Sequence, residues 1–236
     1  MSGIFITGTD TGVGKTLVCG CLAGFLQAHG RRVITQKWVQ TGCPETAEDL
    51  LLHRRLGELE EIAELQDALN PYCFAFPASP HLAAAREGAS IDPQVIANAY
   101  RQLESRFDLV LVEGAGGLLV PLTGDTLTID LVAQLGLTAL VVVRNGLGCI
   151  NHALLTIEAL RSRRIPLAGL VFNRPAEDGD EEILQDNPRT IAHLTGAPIL
   201  GELPYLADPG QAPAAFAPIG ETFLQQYETI SPIPSV

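Results

Sequence analysis

Three features of this 236-residue sequence predict an α/β fold, a doubly wound and mostly parallel sheet flanked by helices. Short apolar runs alternate with stretches of helical length and periodicity from one end to the other. Several runs are continuously apolar and β-branched, as in Val141-Val142-Val143, the pattern of parallel strands covered on both faces. The first run, Ile4-Phe5-Ile6, opens directly onto a glycine-rich turn and then a helical pattern.

Taken in order, the strands fall at residues 4–7, 32–37, 109–113, 138–143, 167–172 and 199–201. Helical patterns occupy residues 16–29, 93–105, 129–135, 150–162 and 181–194. Gly30 stands where a helix C-cap belongs. Residues 58–67 carry five carboxylates, read as a solvated helix face rather than a cation site. Neither repeats nor a Pro/Gly/Ser-rich linker divide the chain, so residues 1–236 read as one domain with an irregular tail from about 228 to 236.

Apolar content of 47% with 18% charged residues is that of a globular protein. A net charge of −12 argues against nonspecific binding to nucleic acid or anionic membranes. Apolar runs stop short of the ~20 residues that a bilayer span requires, and no charged-then-apolar leader opens the sequence. A cytoplasmic protein with neither nucleic-acid nor membrane partners is expected. The five cysteines have no metal-ligand spacing and read as small buried hydrophobes.

The turn GTDTGVGKT at residues 8–16 is a phosphate cradle. Its backbone N–H groups and those of the following helix N-terminus face the anion. Lys15 reaches the β- and γ-phosphates, and the Thr16 hydroxyl serves a Mg²⁺ ion. The common P-loop pattern wants glycine at position 9, where this chain has Thr9.

Ligands of open parallel sheets bind outside the carboxyl ends of the strands, and the remaining chemical residues fall there. Glu113 closes the apolar run 109–112, the place for a carboxylate that completes a magnesium shell, and GAGG follows it. Asp49, in a polar stretch after the second strand, offers another carboxylate. Lys37 ends the second strand; a lysine there is costly unless an anion meets it, so it could neutralise a phosphate, a carbamate or a developing transition-state charge. His152 opens a helix after glycines and reads as a hydrogen-bonding structural residue. His29, His53, His81 and His193 show no ligand spacing.

Further motifs complete a pattern: Thr41-Gly42 after Lys37, NPY-x-F at 70–74, SPH at 79–81, VEGAGG at 112–117 and GCINHALLT at 148–156. In order and spacing, from residue 3 to about 206, these resemble the dethiobiotin synthetases. The resemblance implies a P-loop ligase that uses 7,8-diaminononanoate, CO₂ or bicarbonate, ATP and Mg²⁺. A carbamate forms on one amine, is phosphorylated, and is closed to the ureido ring by the second amine. It implies nucleotide contacts from Gly12, Val13, Gly14, Lys15, Thr16, Leu17, Glu113 and Gly116. Asn173 would read adenine, with Pro204 and Leu206 in the adenine-side loop.

The same resemblance gives Thr16, Asp49 and Glu113 to magnesium and Lys37, Lys15 and Thr11 to catalysis. Thr11, Lys37 and Thr41 would meet the diamine, while Gly148 and Asn151 of a second subunit would hold its distant carboxylate. That arrangement requires a homodimer with active sites at the interface. Departures are Gly12, where some relatives carry an acid, a shortened segment 43–49, and Trp38, expected to reshape the substrate pocket. Among rivals, a cobyrinic-acid amide ligase would need a glutaminase domain. A partition or septum ATPase would carry lysine where this chain has Asp10, and a bare nucleotide-binding module would need neither Lys37 nor GCINH.

Overall fold

A computed structural model describes residues 3–43, 47–177 and 179–230. The chain runs β1 (Gly3–Gly8), α1 (Lys15–Ala28), β2 (Val33–Lys37), β3 (Val39–Thr41) and α2 (Glu48–Gly57). A 3₁₀ turn at Ala63–Leu65 leads into a four-residue α3 (Gln66–Leu69). Then come β4 (Tyr72–Phe74), α4 (Pro80–Arg86), α5 (Pro93–Glu104), β5 (Leu109–Glu113) and α6 (Thr128–Gln134). The rest is β6 (Thr138–Arg144), α7 (Cys149–Ser162), β7 (Leu167–Asn173), α8 (Glu181–Thr195), β8 (Ile199–Leu203) and α9 (Ala212–Ile230).

The main sheet has the order β2-β5-β1-β6-β7-β8, and every pairing is parallel. All six carboxyl ends therefore share one edge. After β1 the chain builds β2 and β5 on one side, then crosses to build β6, β7 and β8 on the other. The switch point lies at β1, where a crevice for a ligand opens. Strands β3 and β4 form a small parallel pair just beyond the end of β2.

Side chains alternate across the sheet, so each strand feeds two cores. Phe5, Val110, Val112, Val141 and Phe172 pack under α5, α6 and α7 on one face. Ile4, Ile6, Leu111, Val142 and Val171 pack under α1 and α9 on the other. Both faces are covered, which is why these strands read as unbroken apolar runs.

Three expectations need correction. Residues 58–67 are not one helix: Glu58, at φ 50°, ends α2, and the chain is irregular up to the 3₁₀ turn. The five carboxylates are nevertheless exposed, as a solvated surface requires. Residues 228–230 belong to α9, whose Phe216, Phe223 and Tyr227 are buried; the remainder of the expected tail, 231–236, lies outside the described residues. Trp38 lines none of the cavities described below. It is buried against Phe5, ring centroids 4.9 Å apart, and its indole N–H donates to Gln36 Oε1 at 3.1 Å.

Candidate active site

Gly14 precedes α1 in a left-handed conformation (φ 102°), with no side chain capping the helix. The free N–H groups of the first turn are thus left for an anion. Asn173 at the end of β7 braces the turn from behind, its Nδ2 donating to Val13 O at 2.9 Å. Lys15 curls back over the loop and donates to Asp10 O at 3.0 Å. Burial pushes the Lys15 ammonium below its ordinary pKa, against the opposing pull of Glu113. An arriving phosphate would reverse that penalty.

Opposite the loop, β2 and β5 end side by side. Lys37 Nζ lies 2.7 Å from Glu113 Oε1 and 2.6 Å from Asp49 Oδ2, and donates to Gly114 O at 3.2 Å. Asn70 Nδ2 grips the Lys37 carbonyl at 2.8 Å, tying the NPY segment to the strand end. Burial alone would lower the Lys37 pKa, but Glu113 and Asp49 outweigh it and hold the ammonium above its usual value. Burial would likewise raise the Glu113 carboxyl. Lys37 and His53 prevail, and it falls to about 2.

Thr16 Oγ1 stands 3.2 Å from Asp49 Oδ1 and 3.1 Å from Glu113 Oε1. A hydroxyl has one proton, so it can donate to only one of these two carboxylate oxygens. The other faces a lone pair. Three hard oxygens converging in this way fit a magnesium ion, which Thr16, Asp49 and Glu113 could hold together.

Lys15, Thr16, Leu17, Lys37, Asp49 and Glu113 all line one cavity of about 430 Å³. Thr11, Thr41, Ala115 and Gly116 lie in its wall and also in that of an adjoining cavity, likewise about 430 Å³, closed by Ser79 and Pro80. Phosphate-side groups and the SPH segment are thereby separated only by two threonine hydroxyls and a glycine-rich turn. A larger hollow of about 930 Å³ runs between α1, the end of α2 and residues 208–213. It contains neither the loop nor a buried cation and has no comparable chemistry.

Other expected residues stand apart from the Lys15 cavity. Val13 is buried and can offer only backbone, and Asn173 is buried behind the loop. Pro204 and Leu206 follow β8 near the Asn173 strand end. Gly148 and Asn151 are exposed at the start of α7 and reach no Lys15-lined wall of their own chain. His152 is exposed beside Gly8, Asp10 and Leu119; its carbonyl accepts from Thr156 Oγ1 at 2.8 Å, and its ring has no hydrogen bond among those of the described residues.

Gly12 is covered by an arginine rather than an acid: Arg144 Nη2 donates to Gly12 O at 3.2 Å and to Thr11 O at 3.4 Å. Four cysteines are buried as expected, but Cys73 is exposed, because its side chain faces outward from the edge pair β3–β4. Two site residues escaped the sequence reading, Arg144 and His53. The second lies one helical turn after Asp49 on the same face of α2, but its partner Glu113 is 60 residues further along.

A phosphate-binding turn at the switch point of a parallel sheet, with a lysine and magnesium-type oxygens facing it, defines a P-loop nucleotide-binding protein. A family model described as an AAA domain matches residues 2–212. The fold is shared with the cell division ATPase MinD of Pyrococcus furiosus (TM-score 0.60, 19% identity, 98% of this chain and 100% of that one). It is also shared with the MinC:MinD complex of Aquifex aeolicus (TM-score 0.59, 17% identity, 100% and 99%).

Sequence relatives are more specific. The ATP-dependent dethiobiotin synthetase BioD of Chlorobaculum tepidum is 42% identical over 92% of this chain and 94% of its own. That of Nitrosospira multiformis is 44% identical over 86% and 88%. The chain belongs to the dethiobiotin synthetase family, whose members are ATP-dependent ligases.

Proposed function

We propose that this protein closes the ureido ring of dethiobiotin from 7,8-diaminononanoate, CO₂ and ATP, within a single catalytic domain. The observation that carries this reading is the second buried lysine. Lys37 faces Lys15 across one cavity, where simple nucleotide hydrolysis would need only the loop, Thr16 and the carboxylates.

The chemistry requires two C–N bonds. One amine adds to CO₂ and loses a proton, giving a carbamate. A carbamate oxygen attacks the γ-phosphorus and the bond to ADP breaks. The second amine then attacks the carbonyl carbon, phosphate leaves, and a proton is released as the ring closes. Lys15 and the loop N–H groups hold the β- and γ-phosphates, while Lys37 offsets the negative charge that accumulates where carbamate and phosphate meet. Thr11 and Thr41, shared by both cavities, orient the diamine toward the phosphates. Magnesium, held by Thr16, Asp49 and Glu113, would draw charge from the phosphate oxygens when bound. No residue needs to form a covalent bond to substrate.

Asn173, Pro204 and Leu206 would form the adenine side, with Gly12, Val13, Gly14, Leu17 and Gly116 contacting the nucleotide through backbone and wall. Gly148 and Asn151 would serve the partner's site in a homodimer. Leu119, Leu147 and Leu155, exposed by 55%, 92% and 61%, support an apolar interface beside them. A cytoplasmic location is part of this proposal; no helix among the described residues is long and apolar enough to cross a membrane. The test is incubation with diaminononanoate, ATP, Mg²⁺ and labelled bicarbonate. Labelled dethiobiotin is expected; none, from protein shown to bind ATP, would sink the reading.

A further inference from the structure

His53 is a buried ionisable group that the ring-closing chemistry leaves without a task. It is fully buried on α2, one turn beyond Asp49, with Nε2 2.7 Å from Glu113 Oε2. Carboxylate oxygens accept, so in this 2.7 Å contact the His53 ring donates through Nε2. The other ring nitrogen, Nδ1, is buried with no hydrogen-bond partner among the described residues. With Nδ1 unpartnered, the contact to Glu113 is the hydrogen bond that accounts for the ring's orientation.

A second metal centre is the competing explanation. Cys19, His53 and Glu113 place ligand atoms within 4.8 Å of one another, all buried. Burial pushes the Cys19 thiol well above its ordinary pKa, which adds the cost of releasing a proton to any metal bound there, and Glu113 Oε2 is already engaged by His53 at 2.7 Å. Cys19 is thus a buried neighbour of the His53–Glu113 pair.

The two Glu113 oxygens have different partners. Oε1 meets Lys37 Nζ and Thr16 Oγ1, whereas Oε2 meets His53 alone among the hydrogen bonds described. The terminal torsion of a glutamate is soft, so a carboxylate held at one oxygen can turn. A cation among Thr16, Asp49 and Glu113 competes with Lys37 for Oε1 but leaves Oε2 to His53. We infer that His53 is a positioning residue for magnesium: it clamps Oε2 so that Oε1 stays aimed at Thr16 when Lys37 gives way. The inference rests on the magnesium role proposed above for Glu113, and deepens it.

The test uses the whole chain with a non-hydrolysable ATP analogue and Mn²⁺ as the probe, free Mn²⁺ being read by electron paramagnetic resonance. His53→Leu fills the space without a donor and is expected to weaken Mn²⁺ binding by about 10-fold or more, as for other outer partners of metal ligands. His53→Gln, whose amide can reach Oε2, should recover most of that loss. Analogue affinity measured in EDTA should be the same in all three proteins, which a merely structural defect would not leave intact.

Unchanged Mn²⁺ affinity in folded His53→Leu overturns the inference, as does a loss that His53→Gln does not recover. Should His53→Leu fail to fold, His53→Asn, whose amide ends short of Glu113, takes its place in the comparison with His53→Gln. A wild-type protein that binds no Mn²⁺ with the analogue overturns the magnesium reading and this inference together. Normal Mn²⁺ behaviour without ring closure instead overturns the ring-closure reading alone.

Discussion

Lys37 and Glu113 are register partners at the ends of adjacent parallel strands, and their side chains meet at 2.7 Å within the protein. The pair does two things. It neutralises a charge that neither strand end could bury alone, and it sets an ammonium beside the phosphate loop. Removing the lysine leaves Glu113 and Asp49 facing each other.

Lys37→Ala is therefore expected to cost about 3–5 kcal/mol of stability, the usual consequence of breaking a buried pair from one side. Mg²⁺ with nucleotide should restore part of the lost melting temperature, because a cation can take the place of the ammonium. Ring closure should still fall by about 100-fold or more, since the charge over the carbamate is gone. Melting curves with and without Mg²⁺, beside turnover, check both; wild-type turnover in the folded variant refutes the catalytic role.

Acid should act through Glu113. Its carboxyl falls from an ordinary 4.5 to about 2 in the folded protein, so its contribution is complete above the unfolded value and disappears as pH drops from about 4.5 toward 2. That contribution is on the order of 3 kcal/mol. Glu113→Gln should be less stable at neutral pH and show a flatter acid limb. Denaturant midpoints across pH 2 to 6 (approximate limits set by those pKa values) would show it. Parallel acid limbs in the two proteins would assign the effect elsewhere.

The strands and the phosphate turn were legible because their signals are local: unbroken apolar runs, and glycines before Lys15 and Thr16. Lys37 and Glu113 were legible as polar ends to apolar strands. Helix α9 was not, because Pro213 and Pro218 interrupt its reading, although Ala212, Phe216, Ile219, Phe223 and Tyr227 keep a helical spacing and are all buried. Strands β3 and β4, three residues each, are too short to show a period. His53 looked idle because its partner lies 60 residues further along, and Arg144 because its acceptors are backbone carbonyls 132 and 133 residues away. What escaped was the part of the site made by tertiary contact alone.

Thr16→Val keeps the size of the side chain and removes the hydroxyl between Asp49 and Glu113. Mn²⁺ affinity in the presence of an ATP analogue should fall by about 10-fold or more, while Thr16→Ser, which keeps the oxygen, should stay near wild type. Equal affinity in Thr16→Val and wild type would remove the hydroxyl from the proposed metal shell.

Leu155, exposed on α7 beside Leu119, bears on the proposed dimer. A charge placed there should oppose association of two apolar faces. Leu155→Glu is expected to sediment as a monomer that still binds ATP but closes little ring, because Gly148 and Asn151 of a second copy are missing. A monomer with full turnover would show the site to be complete in one chain.

Two glycines separate the loop's function from its conformational cost. At Gly14 the backbone is left-handed (φ +102°), and an added Cβ would lie 2.2 Å from Asn173 Nδ2. At Gly30 it is also left-handed (φ +77°), but nothing lies within 4 Å of the added atom. Both alanine variants incur the left-handed penalty of about 1–2 kcal/mol. Only Gly14→Ala must also displace the side chain that holds Val13 O, and with it the N–H groups aimed at phosphate. Gly30→Ala should therefore melt slightly lower and bind ATP as wild type does, whereas Gly14→Ala should lose more stability and bind ATP at least about 10-fold more weakly, a further 1.4 kcal/mol. Calorimetric titration of both variants with ATP checks this. Equal affinities would mean that the Asn173 brace, and the loop shape it maintains, do not govern nucleotide binding.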